Sequence, residues 1–421
     1  LDRNLSGGAM LKTHPSAAGS AGGARIGLAL AGGGPLGITY EIGAVHALAE
    51  ALEGVDLNDL MVYVGVSAGA VVASSLANQI TPAQMCRIFV RNESQAFPLN
   101  PEQFLKPAYA EYRHRLGRIP LSVVRAARDM LRHPTQQGVI RTLNAFASVL
   151  PAGVFNNVSI HEFLQYIFSS RGRSNDFRKL KHRLYIVAAR LDTGESVRFG
   201  APGHDHVPIS KAVQASTALP GLYPPVEIEG ELYVDGALQR TLHASAALDD
   251  GADLLLCINP IVPVDVRLTG DKAPARRENL ADGGLVVVLA QTFRALIHSR
   301  MKVGMAQYDE RFADRDVVLF EPNPGDARMF FTNVFSFANR RRVCEHAYQT
   351  TREDLRARRD ELEPMFAKHG IRLRTEILDD PNRHFDTDLS IPASVLALGR
   401  RRNRVTNDLS ATLDELETYL G

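Results

Sequence analysis

The stretch that most narrows what this chain can fold into is Gly65-Val66-Ser67-Ala68-Gly69, a serine between two glycines at the join of two unlike segments. Before it, Met61-Val-Tyr-Val reads as a short buried strand. After it, Ala68 to Ala77 is a run of small and apolar residues suited to a tightly packed helix. A strand that turns directly into a helix puts the serine at the apex of a sharp bend. Glycines at 65 and 69 remove the Cβ atoms that would clash there, leaving Oγ exposed with the following N–H groups beside it. Ser67 is therefore a candidate nucleophile, although a small-residue turn containing serine is also common in ordinary α/β proteins.

Two further segments bear on that alternative. Upstream, Arg25-Ile-Gly-Leu-Ala-Leu-Ala31 reads as a second buried strand, delivering Gly32-Gly33-Gly34-Pro35-Leu36-Gly37 to a helix expected from about Ile38 to Leu52. Such a loop exposes consecutive N–H donors beside a helix N-terminus, where negative charge is stabilised. Gly32-x-Gly34-x-x-Gly37 meets the spacing of a dinucleotide-binding loop. That reading needs a carboxylate about twenty residues after the loop, at the end of a second strand. Glu53 and Asp56 stand instead where the first helix gives out, and an oxyanion hole is the better account. Downstream, Leu232-Tyr-Val-Asp-Gly-Ala237 is an apolar strand ending in Asp235, suited to presenting a carboxylate at a strand's C-terminal edge; its bland alternative is an Asp-Gly turn.

In this order, Gly-rich loop, Gly-x-Ser-x-Gly and Asp-Gly-Ala, the segments resemble the patatin-like phospholipase family. The run from Ala215 to Gly236, Ala-Ser-Thr-Ala-Leu-Pro-Gly-Leu-Tyr-Pro-Pro-Val-Glu-Ile-Glu-Gly-Glu-Leu-Tyr-Val-Asp-Gly, resembles that family's approach to its catalytic aspartate, and the likeness extends from about Arg25 to Pro260. The resemblance implies an α/β fold, a three-layer α/β/α sandwich with a mainly parallel central sheet, carrying a Ser–Asp dyad that hydrolyses acyl esters of lipids. By the same resemblance Ser67 is the nucleophile, Asp235 its base, and Gly32, Gly33 and Gly34 the oxyanion hole, with Gly37, Gly65, Gly69 and Gly236 supporting the motifs. The chain departs from the pattern at Leu36, where many members carry arginine. It departs again after Gly236, where Gln239-Arg240-Thr241-Leu242-His243 follows in place of an Asn and a Pro.

A serine hydroxyl is a poor nucleophile at neutral pH until a base within hydrogen-bond reach takes its proton. A general base contributes about a hundred- to ten-thousand-fold and one oxyanion donor about 2.7–4 kcal/mol, so the implied machinery needs both. A histidine-containing triad is the rival, because His243, His298, His346, His369 and His384 all follow Asp235. None has a motif around it, and His243 reads as a helix-start or surface residue. Acyl transfer to an alcohol through the same dyad is a second enzymatic alternative, and a catalytically weak lipid-binding scaffold a third.

Composition sets outer bounds. With 421 residues, 45% of them hydrophobic, the chain can bury a large core. Lys+Arg 48 against Asp+Glu 47 leaves a net charge of +1 and gives no reason to expect nucleic acid as a partner. The basic residues are bunched at Arg113 to Arg118, Arg171 to Arg183, Arg340 to Arg342 and Arg400 to Arg402. In a lipid hydrolase such bunches would face anionic head groups at a membrane surface, each side chain contributing about 1 kcal/mol; singly, each reads as a solvated helix face. Three widely spaced cysteines, Cys86, Cys257 and Cys344, read as inert thiols of a reducing, cytoplasmic compartment. No metal-ligand spacing appears, so neither metal nor cofactor is expected. Nothing in the sequence points to an oligomeric state.

The organisation expected is a flexible leader over residues 1–24, a catalytic domain over 25–325 and a helical C-terminal extension over 326–421. Within the catalytic domain, residues 92–151, with Pro98, Pro101, Pro107, Pro120 and Pro134 among basic helices, read as an inserted helical lid. Strand character recurs at about 184–190 and 252–258, and Leu285, Val288, Leu289, Thr292 and Leu296 fall at helical spacing. In the extension, Leu355, Leu362 and Phe366 share one helical face, and a final helix is expected near Ser410 to Leu420.

Overall fold

Three short runs, Ile-Gly-Leu-Ala-Leu, Val-Tyr-Val-Gly-Val and Leu-Leu-Leu-Cys-Ile, are buried at every position, the pattern of strands covered on both faces. In the computed structural model, which describes residues 24–93, 155–239, 242–263, 284–323, 337–387 and 389, they form the centre of a mainly parallel sheet. The chain runs β1 (Ile26–Leu30), α1 (Gly34–Ala51), β2 (Leu52–Glu53), β3 (Val62–Val66), α2 (Ala68–Ala77) and α3 (Pro82–Met85), the last continued by a π-helical turn Cys86–Val90. After the gap come α4 (Val158–Phe168), β4 (Arg183–Arg190), β5 (Ser196–Phe199), α5 (Ile209–Ser216), β6 (Val226–Ile228), β7 (Glu231–Asp235), α6 (Ser245–Asp249) and β8 (Leu254–Ile258). The C-terminal part contributes α7 (Gly284–Arg311), β9 (Asp316–Phe320), α8 (Phe337–Ala357), α9 (Arg359–Lys368), β10 (Arg372–Leu373) and α10 (Thr375–Leu378). The expected leader, lid-like insertion and final helix lie outside the described residues, apart from a residue or two at the edges of the first two.

Strand β1 pairs in parallel with β3 and β8, which pair in parallel with β4 and β9 respectively. Within this sheet the antiparallel pairings are β4 with β5, β4 with β7 and β6 with β7, while β2 and β10 form a separate antiparallel pair. The period of two along each strand divides the core. Leu28, Leu30, Tyr63, Ile186, Leu254 and Leu256 belong to one apolar cluster, shared with α1, α2, α5 and α8. Ala29, Val62, Val64, Val66, Val187 and Leu255 belong to the other, shared with Leu248 of α6 and with Met301, Met305 and Tyr308 of α7. The result is a three-layer α/β/α arrangement. No described helix is long and apolar enough to cross a membrane.

Helix α1 starts at Gly34, four positions before the expected Ile38, so Gly37 belongs to its first turn. Pro35 is accommodated there because the first helical positions have no intrahelical acceptor for an N–H. The helix is apolar nearly all round because α8 covers its outer side: a Cβ added at Gly43 would stand 2.3 Å from the carbonyl oxygen of Cys344. Tyr348 and Leu355 of α8 and Leu362 and Phe366 of α9 are fully buried in the same cluster as the sheet. Gly43→Ala, which forces α1 and α8 apart, is expected to lower the free energy of unfolding by about 1–3 kcal/mol. Urea titration of the purified variant checks this, and an unchanged midpoint would contradict so close a contact.

Candidate active site

The edge of β4 brings the two candidate catalytic residues together. Ile186 and Val187 pair with both β3 and β5, which therefore flank β4 on opposite edges. Ala188 and Ala189 pair with both β5 and β7, so β7 takes the edge that β3 vacates. Val66, the last residue of β3, lies opposite Val187, and Asp235, the last residue of β7, lies opposite Ala188. The chain leaving β3 is Ser67, which thus emerges beside the aspartate. Its hydroxyl donates to Asp235 Oδ2 at 2.5 Å, and the other carboxylate oxygen accepts from the N–H of Ala237 at 2.9 Å.

Ser67 has φ 52° and ψ −115°, a left-handed conformation costly for a residue with a Cβ. It is held from several sides. Its N–H donates to Ser216 Oγ at 2.8 Å, and Ser216 in turn donates to the carbonyl oxygen of Val187 at 2.5 Å, tying the turn to β4. The N–H of Gly69 donates to the carbonyl oxygen of Ala31 at 3.0 Å. Backbone comes so close that a Cβ on Gly69 would lie 2.3 Å from the oxygen of Leu30, one on Gly65 2.5 Å from the oxygen of Gly69, and one on Gly236 2.4 Å from the oxygen of Val187. Ser216 lies inside the run Ala215 to Gly236, but a serine among small residues carries no signal of this bridging position.

Of the Gly-rich loop, Gly32 stands nearest the nucleophile: a Cβ there would lie 3.3 Å from that of Ser67. Gly33 and Gly37 pack against each other and against Pro260, while Gly34 takes φ +60° and opens α1. The first turn of a helix leaves its N–H groups without intrahelical partners, and Gly33 and Gly34 line the cavity onto which Ser67 opens. The N–H of Ser67 is engaged by Ser216, so any oxyanion has to be met by other donors. Leu36 is buried in the apolar core and does not line this cavity.

The cavity has a volume of about 400 Å³. Its walls are mostly apolar, among them Val71, Phe89, Ile160, Phe163, Leu164 and Leu222. Among the described residues, Asp235 is the only carboxylate lining it, and Arg294 and Arg340 the only cations. Burial pushes the Asp235 carboxyl up to about 6, with the donors Ser67 and Ala237 opposing the rise. Sequence reasoning missed both arginines. Arg340 belongs to a bunch expected to be solvated, yet it is 6% exposed whereas Arg341 and Arg342 are exposed.

Among the described residues, no histidine lines this cavity. His243 opens the turn before α6 but is buried rather than at the surface, with φ 47°, and lines a separate cavity of about 320 Å³ together with Met301, Met305 and Tyr308. His369 bonds to Asp316 and His384 to Glu345. Among the described residues, no group of three or more His, Cys, Asp or Glu is placed to hold a metal ion.

A family model described as patatin-like phospholipase matches residues 28–248. Among solved structures the chain is similar to VipD from Legionella pneumophila, with 15% identity and a TM-score of 0.36 over 81% of this chain and 68% of that one. It is also similar to the type III effector protein ExoU, with 16% identity and a TM-score of 0.34 over 80% of this chain and 53% of that one. A third similar structure is a complex of SpcU with ExoU from Pseudomonas aeruginosa, at 18% identity and a TM-score of 0.25 over 46% of this chain and 38% of that one.

The buried carboxyl makes a prediction about stability. Because its folded-state pKa is raised, the protein binds this proton more tightly when folded, and stability is lost as pH rises from the ordinary aspartate range through about 6. Asp235→Asn removes the buried charge while keeping the shape. It is expected to be more stable than the parent at pH 8, by on the order of 2 kcal/mol, with the difference closing below pH 4. Thermal unfolding across pH checks this; a variant less stable than the parent at pH 8 would contradict it.

Proposed function

The chain belongs to the patatin-like phospholipase family, a family of lipid hydrolases, and on that premise we propose that it cleaves acyl esters through a covalent acyl-enzyme on Ser67, with Asp235 as the base. The observation that carries this reading is the 2.5 Å hydrogen bond from Ser67 to a buried carboxylate beside a largely apolar cavity. A carboxyl titrating at about 6 is ionised at neutral pH and is a stronger base than an ordinary aspartate.

The steps follow from the donors and acceptors. As Oγ attacks the acyl carbonyl carbon, its proton passes to Asp235 Oδ2, and the carbonyl oxygen gains negative charge. The N–H groups of the Gly32–Gly34 loop, next to the nucleophile and at the positive end of α1, are the donors suited to that charge. Collapse expels the alcohol, which takes the proton from Asp235 and leaves the acyl group on Ser67. Water then attacks, giving a proton to Asp235, and the second collapse releases the fatty acid and returns the proton to Oγ.

The apolar walls accept the acyl chain. At roughly 30 Å³ per water-sized group, a cavity of about 400 Å³ takes about a dozen methylenes, each contributing about 0.8 kcal/mol on leaving water. The substrate class this supports is a single-chain or splayed acyl ester, with the ester at Ser67 and the chain along Phe89, Phe163 and Leu164.

Ser67→Ala is expected to abolish hydrolysis of a short-chain ester without loss of fold. Asp235→Asn is expected to lower kcat at least about a hundredfold, and His243→Ala to cost far less. In the parent, kcat/KM should rise with pH through about 6, as the base ionises. Steady-state rates against pH check all four. Equal losses in Asp235→Asn and His243→Ala would support a triad, and a fully active Ser67→Ala would remove the mechanism.

A further inference from the structure

Arg340 is a charged group that the chemistry at Ser67 does not use. It sits in the N-terminal turns of α8, lines the cavity shared with Ser67 and Asp235, and is 94% buried, the complement of its 6% exposure. Its bond within the protein is a long one, from Nη1 to the carbonyl oxygen of Phe89 at 3.5 Å, and no carboxylate pairs with it among the described residues. The one carboxylate lining the cavity among the described residues, Asp235, already accepts from Ser67 and from Ala237. Burial draws the guanidinium down to about 10, which leaves it charged at neutral pH.

The helix end strengthens the case. The positive end of a helix dipole favours anions, yet α8 opens with no acidic residue in its first turn and with Arg340, Arg341 and Arg342 in succession. Arg341 is neutralised by Asp386 at 2.8 Å; Arg340 turns inward. A buried charge without a counter-ion costs several kcal/mol unless something bound supplies one. A guanidinium fork beside a helix N-terminus matches the oxygens of a phosphate.

We propose that Arg340 binds the phosphate of a single-chain phospholipid whose acyl ester lies at Ser67, so that the site selects anionic acyl esters over neutral ones. This rests on the hydrolase reading above and adds to it a specificity residue outside the matched segment 28–248. Arg294 of α7, the other cation lining the cavity among the described residues, comes from outside that segment as well. Positive charge thus enters from the C-terminal helices, whereas the Gly-rich loop, with Leu36, supplies none.

The test is direct binding, which needs no catalysis. Isothermal titration compares the parent with Arg340→Met and Arg340→Lys, using monooctyl phosphate below its aggregation concentration, 1-octanol, and inorganic phosphate alone. The parent is expected to bind monooctyl phosphate at least about tenfold more tightly than Arg340→Met, with Arg340→Lys between them, as loss of a hydrogen bond to a charged group implies. Octanol should bind all three alike, and inorganic phosphate much more weakly than monooctyl phosphate. Arg340→Met should unfold at or above the parent's temperature, because a buried charge is exchanged for an apolar chain. Equal affinity of parent and Arg340→Met for monooctyl phosphate, or a parallel loss of octanol binding, would overturn the proposal. So would inorganic phosphate binding as tightly as the ester, which would identify free phosphate as the ligand. Kinetically, Arg340→Met should raise KM for a lysophospholipid at least about tenfold more than KM for an uncharged ester of equal chain length. If the parent hydrolyses neither ester, the hydrolase reading fails while the titration still decides the phosphate site.

Discussion

The site depends on one constraint of strand pairing: a single edge of β4 is shared end to end by β3 and β7. The parallel partner stops at Val187 and the antiparallel partner begins at Ala188, so a residue leaving one strand and a residue ending the other are forced into adjacency. The sequence separation of 168 between Ser67 and Asp235 is thereby closed to a 2.5 Å hydrogen bond without any side chain having to reach. Ser216 reinforces the junction by bonding to the N–H of Ser67 and the carbonyl of Val187.

That junction is costly in isolation. A non-glycine residue sits in left-handed backbone, and a carboxyl group is fully buried with two donors. On the proposed mechanism both costs serve chemistry: the strained turn presents Oγ, and the desolvated carboxyl gains basicity. The surrounding layers have to over-determine the geometry, and they do so by packing. Strand β1, bonded to both β3 and β8, carries the Gly-rich loop; α2 lies so close to β1 that only glycine fits at 69; α8 clamps α1 from outside through Gly43.

Much of this was legible in the sequence because it rests on local chemistry. Buried parallel strands announce themselves as apolar runs, and a turn that admits only glycine beside serine leaves its spacing in the chain. Asp235 was readable as a strand-end carboxylate. What was not legible depends on long-range placement. The start of α1 at Gly34 was obscured because glycine and proline usually argue against helix, and the first turn is where that rule lapses. Ser216 has no local signature. Arg340 was hidden in a basic triplet, because which of three consecutive arginines faces inward is set by the packing of α8 on α1. His243, expected at a helix start or at the surface, does precede α6 but is buried against α7 instead.

The central claim is that Ser67 carries the acyl group. Rapid-quench mixing of the protein with an excess of a slowly deacylating medium-chain ester, followed by peptide mass spectrometry, reads this directly. The account predicts one acyl group per chain, on the peptide containing Ser67, formed before the fatty acid appears at its steady rate and absent from Ser67→Ala. Turnover of the ester with no acyl group on Ser67, or with the acyl group on another residue, would contradict it.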